Sequence, residues 1–339
     1  MSTRVITFRE AINEAIRLEM RRDPTVILMG EDVAGGAATH LEEKGTEAWG
    51  GDLGVTKGLV TEFGRERVRD TPISESAFIG AAVGAASTGL RPIAELMFVD
   101  FFGVCMDQIF NQGGKLRYMF GGKAKVPMVI RTLIGAGFRA AAQHSAVLYS
   151  VFAHMPGLKC VVPSTPYNAK GLLAAAVRDD DPVIYFEHLV LLDTTGPVPE
   201  GEYVVPLGKA EIARPGKDAT VVAIGRMRLF ALQAADELAK DGIDVEVVDP
   251  QSISPLDEST ILESVKKTRR LVVVDEDNPR CSVAHDIVTL AAQQAFDYLD
   301  APPQTVTAPH APVPFSPVLE DAYLPSPAKI AAAVRGVVA

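Results

Sequence analysis

LKCVVPSTPYNAKGLLAAAVRDDDPVIYFE, residues 158–187, holds the fold in miniature. Residues 158–163 form a short apolar run, 166–178 a helical pattern, and 182–187 a second apolar run. Strands of near-continuous apolar residues alternating with helices imply a parallel sheet covered on both faces. The same grammar extends upstream. TVILMGED (25–32) is a buried strand ending in two carboxylates, RPIAEL (91–96) and VPMVIRT (126–132) are strands, and 100–120 is helical. An earlier helix opens at Thr7-Phe8-Arg9-Glu10, a capping-box spacing, and stops near Asp23-Pro24. Residues 188–218 bear prolines and little periodicity, which reads as a linker. The alternation then restarts with ATVVAIG (219–225), a helix to about 240, IDVEVVD (243–249), a helix over 257–267, RLVVVDE (270–276) and a helix near 282–298. The sequence therefore predicts an α/β protein of two domains, 1–187 and 219–339, each a mostly parallel sheet covered by helices.

Composition agrees and excludes several classes. In 339 residues, 47% are hydrophobic, and 33 Lys and Arg face 43 Asp and Glu for a net charge of -10. That is a globular chain with a large core, neither disordered nor collagen-like. The negative balance speaks against nucleic-acid binding, which needs clustered positive charge. Cys105, Cys160 and Cys281 form neither a disulfide framework nor a C-x-x-C pair. The N-terminal stretch is too acidic for a targeting segment, and no run approaches the ~20 apolar residues of a membrane span. A cytoplasmic protein without membrane contact is expected.

Gly135-Ala136-Gly137-Phe138-Arg139-Ala140 follows a strand and fits the G-x-G-x-x-G/A dinucleotide fingerprint, with a plausible helix after it. It lacks the acidic residue about 20 positions downstream that would bind a ribose. A tight turn is the better reading, and nicotinamide chemistry the lesser alternative. More unusual is RDTPISESAFIGAAVGAASTGLRP (69–92). Ser74 is placed to cap a helix and Glu75 sits in its first turn, where a carboxylate ordinarily complements the helix dipole. Yet the residues after it are small and apolar, a composition expected to pack closely on all sides. A carboxylate withdrawn from water there is prepared to share a proton with a buried ligand nitrogen. Glu31 ends a strand on the edge where parallel sheets bind ligands. His144 stands among small residues behind the glycine turn. The run 33–58, rich in glycine and charge and holding Trp49, reads as a functional loop.

At these residues the chain resembles a known family. MGEDV (29–33), RDTPISES (69–76), GLRPIAELMFVDF (89–101), AAQHS (141–145), PGLKCVVPSTPYNAKGLL (156–173) and RDDDPVIYFEH (178–188) resemble beta subunits of thiamine-diphosphate-dependent 2-oxo acid dehydrogenases. IGRM (224–227), SPLD (254–257), VVVDEDNPRCSVAHDI (272–287) and APHAPVPFS (308–316) resemble the C-terminal domain of the same family. LRYMFGGKA (116–124) and VIRTLIGAGFRAAAQHS (129–145) look like its acetoin dehydrogenase branch, with pyruvate and branched-chain branches as alternatives. Ala146 departs from the glutamine usual after His-Ser.

The resemblance implies a transketolase-like pyrimidine-binding domain followed by a transketolase C-terminal-like domain. It implies that Glu75 hydrogen-bonds the aminopyrimidine of thiamine diphosphate and favours the tautomer that deprotonates the thiazolium carbon. Phe101 would stack on that ring, Ile73 and Met97 would line its apolar side, and Glu31 would orient water and the Glu75 network. His144 would face the substrate and an incoming lipoyl group. Carbonyls of Met128, Ala176 and Val177, with Asp179 and Asp181, would hold potassium. The diphosphate-gripping G-D-G…N element is absent, since Gly51-Asp52-Leu53-Gly54 lacks its second glycine and asparagine. Magnesium would therefore be held by an alpha subunit, in an α2β2 heterotetramer serving a lipoyl-bearing acyltransferase.

Overall fold

The computed structural model describes residues 3–35 and 50–339; most of the loop expected over 33–58, Trp49 included, lies outside the described residues. The chain divides into two compact units. The first comprises Met1–Leu133, Phe152–Glu187 and Leu191–Leu207, the second Ile134–Val151, His188–Val190 and Gly208–Ala339.

In the first unit the helix Phe8–Arg22 starts at a complete capping box. The Thr7 hydroxyl accepts from the Glu10 amide at 3.2 Å, and the Glu10 carboxylate accepts from the Thr7 amide at 2.7 Å. Its face of Phe8, Ile12, Ala15 and Ile16 is buried, and it packs on the helix Pro166–Arg178. Full burial of each isoleucine stabilises by about 1.5–3 kcal/mol. The sheet order is Lys159–Val161, Val183–His188, Val129–Ile134, Arg91–Phe98, Val26–Gly30, Val68–Asp70. Leu28 stands opposite Val68 and Ile93, and Ile93 opposite Val129, all in parallel register. Every residue of Val26–Gly30 is buried, as its unbroken apolar run predicts.

The helix Glu75–Ser87 departs from expectation. It buries Phe78, Ile79, Ala82 and Val83, while Ala77, Ala81 and Gly84 are exposed on this chain. Alanine and glycine mark no face, so the few bulky side chains decide which side turns inward. Residues 100–120 are helical in three pieces: a 3-10 helix Val99–Cys105, a π-helix Gln108–Gly113 and an α-helix Gly114–Met119.

The second unit centres on a five-stranded sheet ordered Gln304–Val306, Leu271–Val274, Ala219–Ala223, Val245–Asp249, Glu211–Arg214. Only Glu211–Arg214 runs antiparallel to its neighbour. Val221, Val247 and Val272 pack with Ala231, Leu238, Ile330 and Val334 beneath it. The stretch 188–218, expected as a linker, contains this edge strand and Thr195–Pro199, which pairs with Thr3–Thr7. Pro197 and Pro199 hid the latter, because a proline is tolerated in an edge strand where no ladder donor is needed. Among the described residues, no helix is long and apolar enough to cross a membrane.

Candidate functional site

The first unit gathers carboxylates at the carboxyl edge of its sheet. Glu31 follows the strand Val26–Gly30, and Glu95 stands opposite Gly30 on the next strand. Glu75 is the first residue of its helix and only 9% exposed. Ser74 precedes it at φ -160° and ψ 74°, outside the β region, and makes no side-chain cap, contrary to expectation. Burial pushes the Glu31 carboxyl above its ordinary range, and Glu75, Asp32, Asp52 and Glu95 push it further. Burial, then Asp52 and Asp70, does the same to Asp32. Sequence reasoning passed over Cys105, whose thiol is pushed up to about 12 by burial, with Glu75 adding to it.

Met97 owes its place to a β-bulge. Leu96 pairs with Thr132 and Phe98 with Leu133, so Met97 is the extra residue between them. A bulge re-aims a side chain, and Met97 joins Asp52, Leu53, Glu95, Arg131 and Thr132 in lining a pocket. Arg131 spans its floor. Two hydrogen bonds of 2.6 and 2.8 Å reach Glu187, and a third of 2.6 Å reaches Glu95. The Thr132 hydroxyl in the same lining is buried and, among the described residues, has no hydrogen-bond partner. Phe101, in the 3-10 helix that packs on the Glu75 helix, stands edge-on to Phe98 at 6.0 Å. Ile73 is 83% exposed, so on this chain it encloses nothing.

These groups suit a nitrogen heterocycle. A sheltered carboxylate can share a proton with a ring nitrogen, Phe101 offers an aromatic face, Met97 a polarizable one, and Thr132 an unsatisfied hydroxyl. They do not suit a diphosphate, since the clustered carboxylates repel anions.

His144 lies in the second unit, on the segment 134–151. The helix expected after the glycine turn does not form; residues 135–148 are irregular up to the short helix Tyr149–Ala153. Gly135 has φ 95°, and a Cβ there would lie 2.2 Å from the His188 ring. The turn amides that a pyrophosphate would need are taken. Ala136 N–H donates to Glu276 and Gly137 N–H to Glu320, each at 2.6 Å. This removes the structural basis of the dinucleotide reading.

The potassium ligands meet protein donors instead. Met128 O accepts from the Val183 amide at 3.0 Å, Ala176 O from the Asp179 amide at 3.2 Å, and Val177 O from Arg91 at 3.0 Å. Both Asp179 oxygens hold Lys159 Nζ, at 2.8 and 2.7 Å, and Asp181 pairs with Lys159 and Arg117. The carboxylates of this loop are neutralised by the chain's own cations, while each of the three carbonyls accepts one hydrogen bond. Among the described residues, no group of three or more His, Cys, Asp or Glu is arranged to hold a metal.

Residues 4–193 match the family "Transketolase, pyrimidine binding domain", and residues 208–330 match "Transketolase, C-terminal domain". The chain is 62% identical over 328 residues to acetoin:2,6-dichlorophenolindophenol oxidoreductase subunit beta of Bacillus subtilis, covering 96% of this chain and 95% of that one. It is 60% identical to the like-named subunit of Cupriavidus necator, covering 98% and 97%. A split-gene transketolase, solved as an inactive beta4 tetramer, shares the fold with a TM-score of 0.77 at 21% identity, covering 98% of each chain.

Proposed function

The chain belongs to the transketolase-type family of thiamine-diphosphate-dependent dehydrogenase beta subunits, and from that premise we propose that it is the beta half of an enzyme that cleaves acetoin and passes the acyl group to lipoyl. The observation that carries the reading is the sheltered Glu75 carboxylate beside Glu31, in the unit that matches the pyrimidine-binding domain.

Thiamine diphosphate, when bound, supplies a nucleophilic carbon and an electron sink. In this reading Glu75 holds and returns a proton at the pyrimidine nitrogen, a task that requires shelter from water. Glu31, held toward its protonated form, keeps that proton local. Phe101 and Met97 bind the ring, and Ile73 completes its apolar wall once a partner surface covers it. His144 faces the acyl acceptor. In this reading an alpha subunit holds the diphosphate and its magnesium in an α2β2 assembly, with a lipoyl-bearing acyltransferase as acceptor; the carboxylates gathered around Glu31, which oppose a phosphate anion, support that division. In this reading residues 1–187, apart from the 134–151 segment that groups with the second unit, are the pyrimidine-binding domain, 188–218 are the connection and lend a strand to each unit, and 219–339 are the C-terminal domain of a cytoplasmic protein.

The test is co-expression with the alpha-like chain, followed by acetoin, pyruvate and branched-chain 2-oxo acids as substrates and dichlorophenolindophenol as electron acceptor. Acetoin is expected to give the highest kcat/KM. Preference for a 2-oxo acid by more than tenfold would refute the assignment.

A further inference from the structure

The segment 134–151, which carries His144, is tied down at both ends by carboxylates that lie far away in sequence. At its start, Glu276 accepts from the Ala136 amide and Glu320 from the Gly137 amide. Glu276 also meets the His188 ring at 2.9 Å, and Arg226 donates to the Ala136 carbonyl at 2.9 Å. At its end, the Tyr149 hydroxyl donates to Asp275, and the Ser150 hydroxyl donates to Asp277 at 2.6 Å. The Gly135 amide donates to the Ala146 carbonyl at 3.2 Å and closes the loop at its base. Within the loop, Arg139 and Ala141 are held at φ 65° and 61°, a left-handed backbone that side chains resist. Such backbone persists only where its surroundings over-determine it.

Asp275 and Glu320 are 0% exposed, and Glu276 and Asp277 nearly as buried. Four buried carboxylates are a poor means of stabilising a loop, because the desolvation of each charge offsets much of what its hydrogen bonds contribute. They are a good means of specifying one geometry, since each accepts only from a donor at a set distance and direction. We propose that Asp275, Glu276, Asp277 and Glu320 are positioning residues for His144, acting through the two ends of the segment that carries it. They thereby set where the lipoyl acceptor is received. This inference rests on the reading that His144 faces that acceptor.

The test uses the assembled complex with its alpha subunit and two acceptors. Dichlorophenolindophenol takes electrons without a lipoyl group, whereas acylation of a lipoyl domain needs the acceptor to be received. The variants are Tyr149→Phe and Ser150→Ala, which remove one anchoring hydroxyl each, with His144→Ala as reference. Misplacement by about 1 Å costs on the order of 10²-fold in rate. The ratio of lipoyl transfer to dye reduction is therefore expected to fall about tenfold or more in both anchor variants, approaching that of His144→Ala. A loop that is merely structural would lower the melting temperature and leave this ratio unchanged, which overturns the proposal. If His144→Ala lowers the ratio and the anchor variants do not, the proposal fails alone. If His144→Ala leaves it unchanged, the reading of His144 fails, and the proposal with it.

Discussion

Arg131 and Glu187 form a two-hydrogen-bond ion pair at 2.6 and 2.8 Å, with side chains only 2% and 1% exposed. Its third arm takes Glu95, one of the charges that act on Glu31. The pair thus joins the floor of the pocket to the carboxylates around Glu75. Breaking a buried pair by removing one partner strands the other charge, at a cost of about 3–5 kcal/mol. Arg131→Met should lower stability by that amount in denaturant titration. A loss below about 1 kcal/mol would show that Glu187 finds another partner.

Glu75→Gln keeps the size and reach of the side chain and removes the proton it shares. Turnover should fall by about 10²–10⁴, the usual worth of a positioned acid or base, with the α–β complex still assembled. Steady-state kinetics and gel filtration on the same preparation check both halves. Near-normal turnover would return Glu75 to an ordinary helix-dipole role.

Cofactor affinity should depend on the partner. The clustered carboxylates Glu31, Asp32, Asp52, Glu75 and Glu95 oppose a diphosphate. Calorimetry should show weak or no binding of thiamine diphosphate and magnesium to this chain alone, and tight binding to the complex. Tight magnesium-dependent binding by the isolated chain would contradict the division of labour between subunits.

Stability should be indifferent to potassium. Lys159 Nζ already lies between the oxygens of Asp179 and within 3.3 Å of Asp181. Replacing potassium by choline at constant ionic strength should leave the melting temperature of the complex unchanged. Lys159→Met, which uncovers the two carboxylates, should lower it. A specific potassium-dependent rise in the unaltered protein would place the ion beside Lys159 after all.

Asp277 should make stability fall with rising pH. Burial, then the neighbouring Asp275, raises its carboxyl above the ordinary range, while Ser150 and the Asn278 amide oppose the shift. A group whose folded-state pKa is raised contributes fully below its unfolded value and loses that contribution as pH climbs through the folded one. Asp277→Asn removes the ionisation and keeps an acceptor. Its melting temperature relative to the unaltered protein should therefore climb between pH 4 and pH 8. A difference that is flat across that range would mean Asp277 ionises freely in the fold.

Much of this protein was legible in one dimension. Unbroken apolar runs such as 26–30 and 182–186, alternating with helical segments, are the mark of strands covered on both faces, so they point to a parallel sheet without reference to any partner. Thr7 and Glu10 cap a helix through bonds spanning three residues, and local spacing is enough to encode those. Glu75, a charge leading a run of small apolar residues, is buried as that run suggests, although Ala77, Ala81 and Gly84 within the run are exposed. Other features required tertiary structure, because their partners are remote. The turn at Gly135 imitates a dinucleotide site in sequence, and only Glu276 and Glu320, 140 and 183 residues downstream of the amides they cap, show those donors to be taken. The bulge that turns Met97 into the pocket arises from the register of two strands, and Asp179 and the Val177 carbonyl, expected as potassium ligands, bond Lys159 and Arg91. Periodicity records which residues leave water. Which polar groups then meet is decided by chain topology, and a hydrogen bond between distant residues leaves no pattern in either neighbourhood.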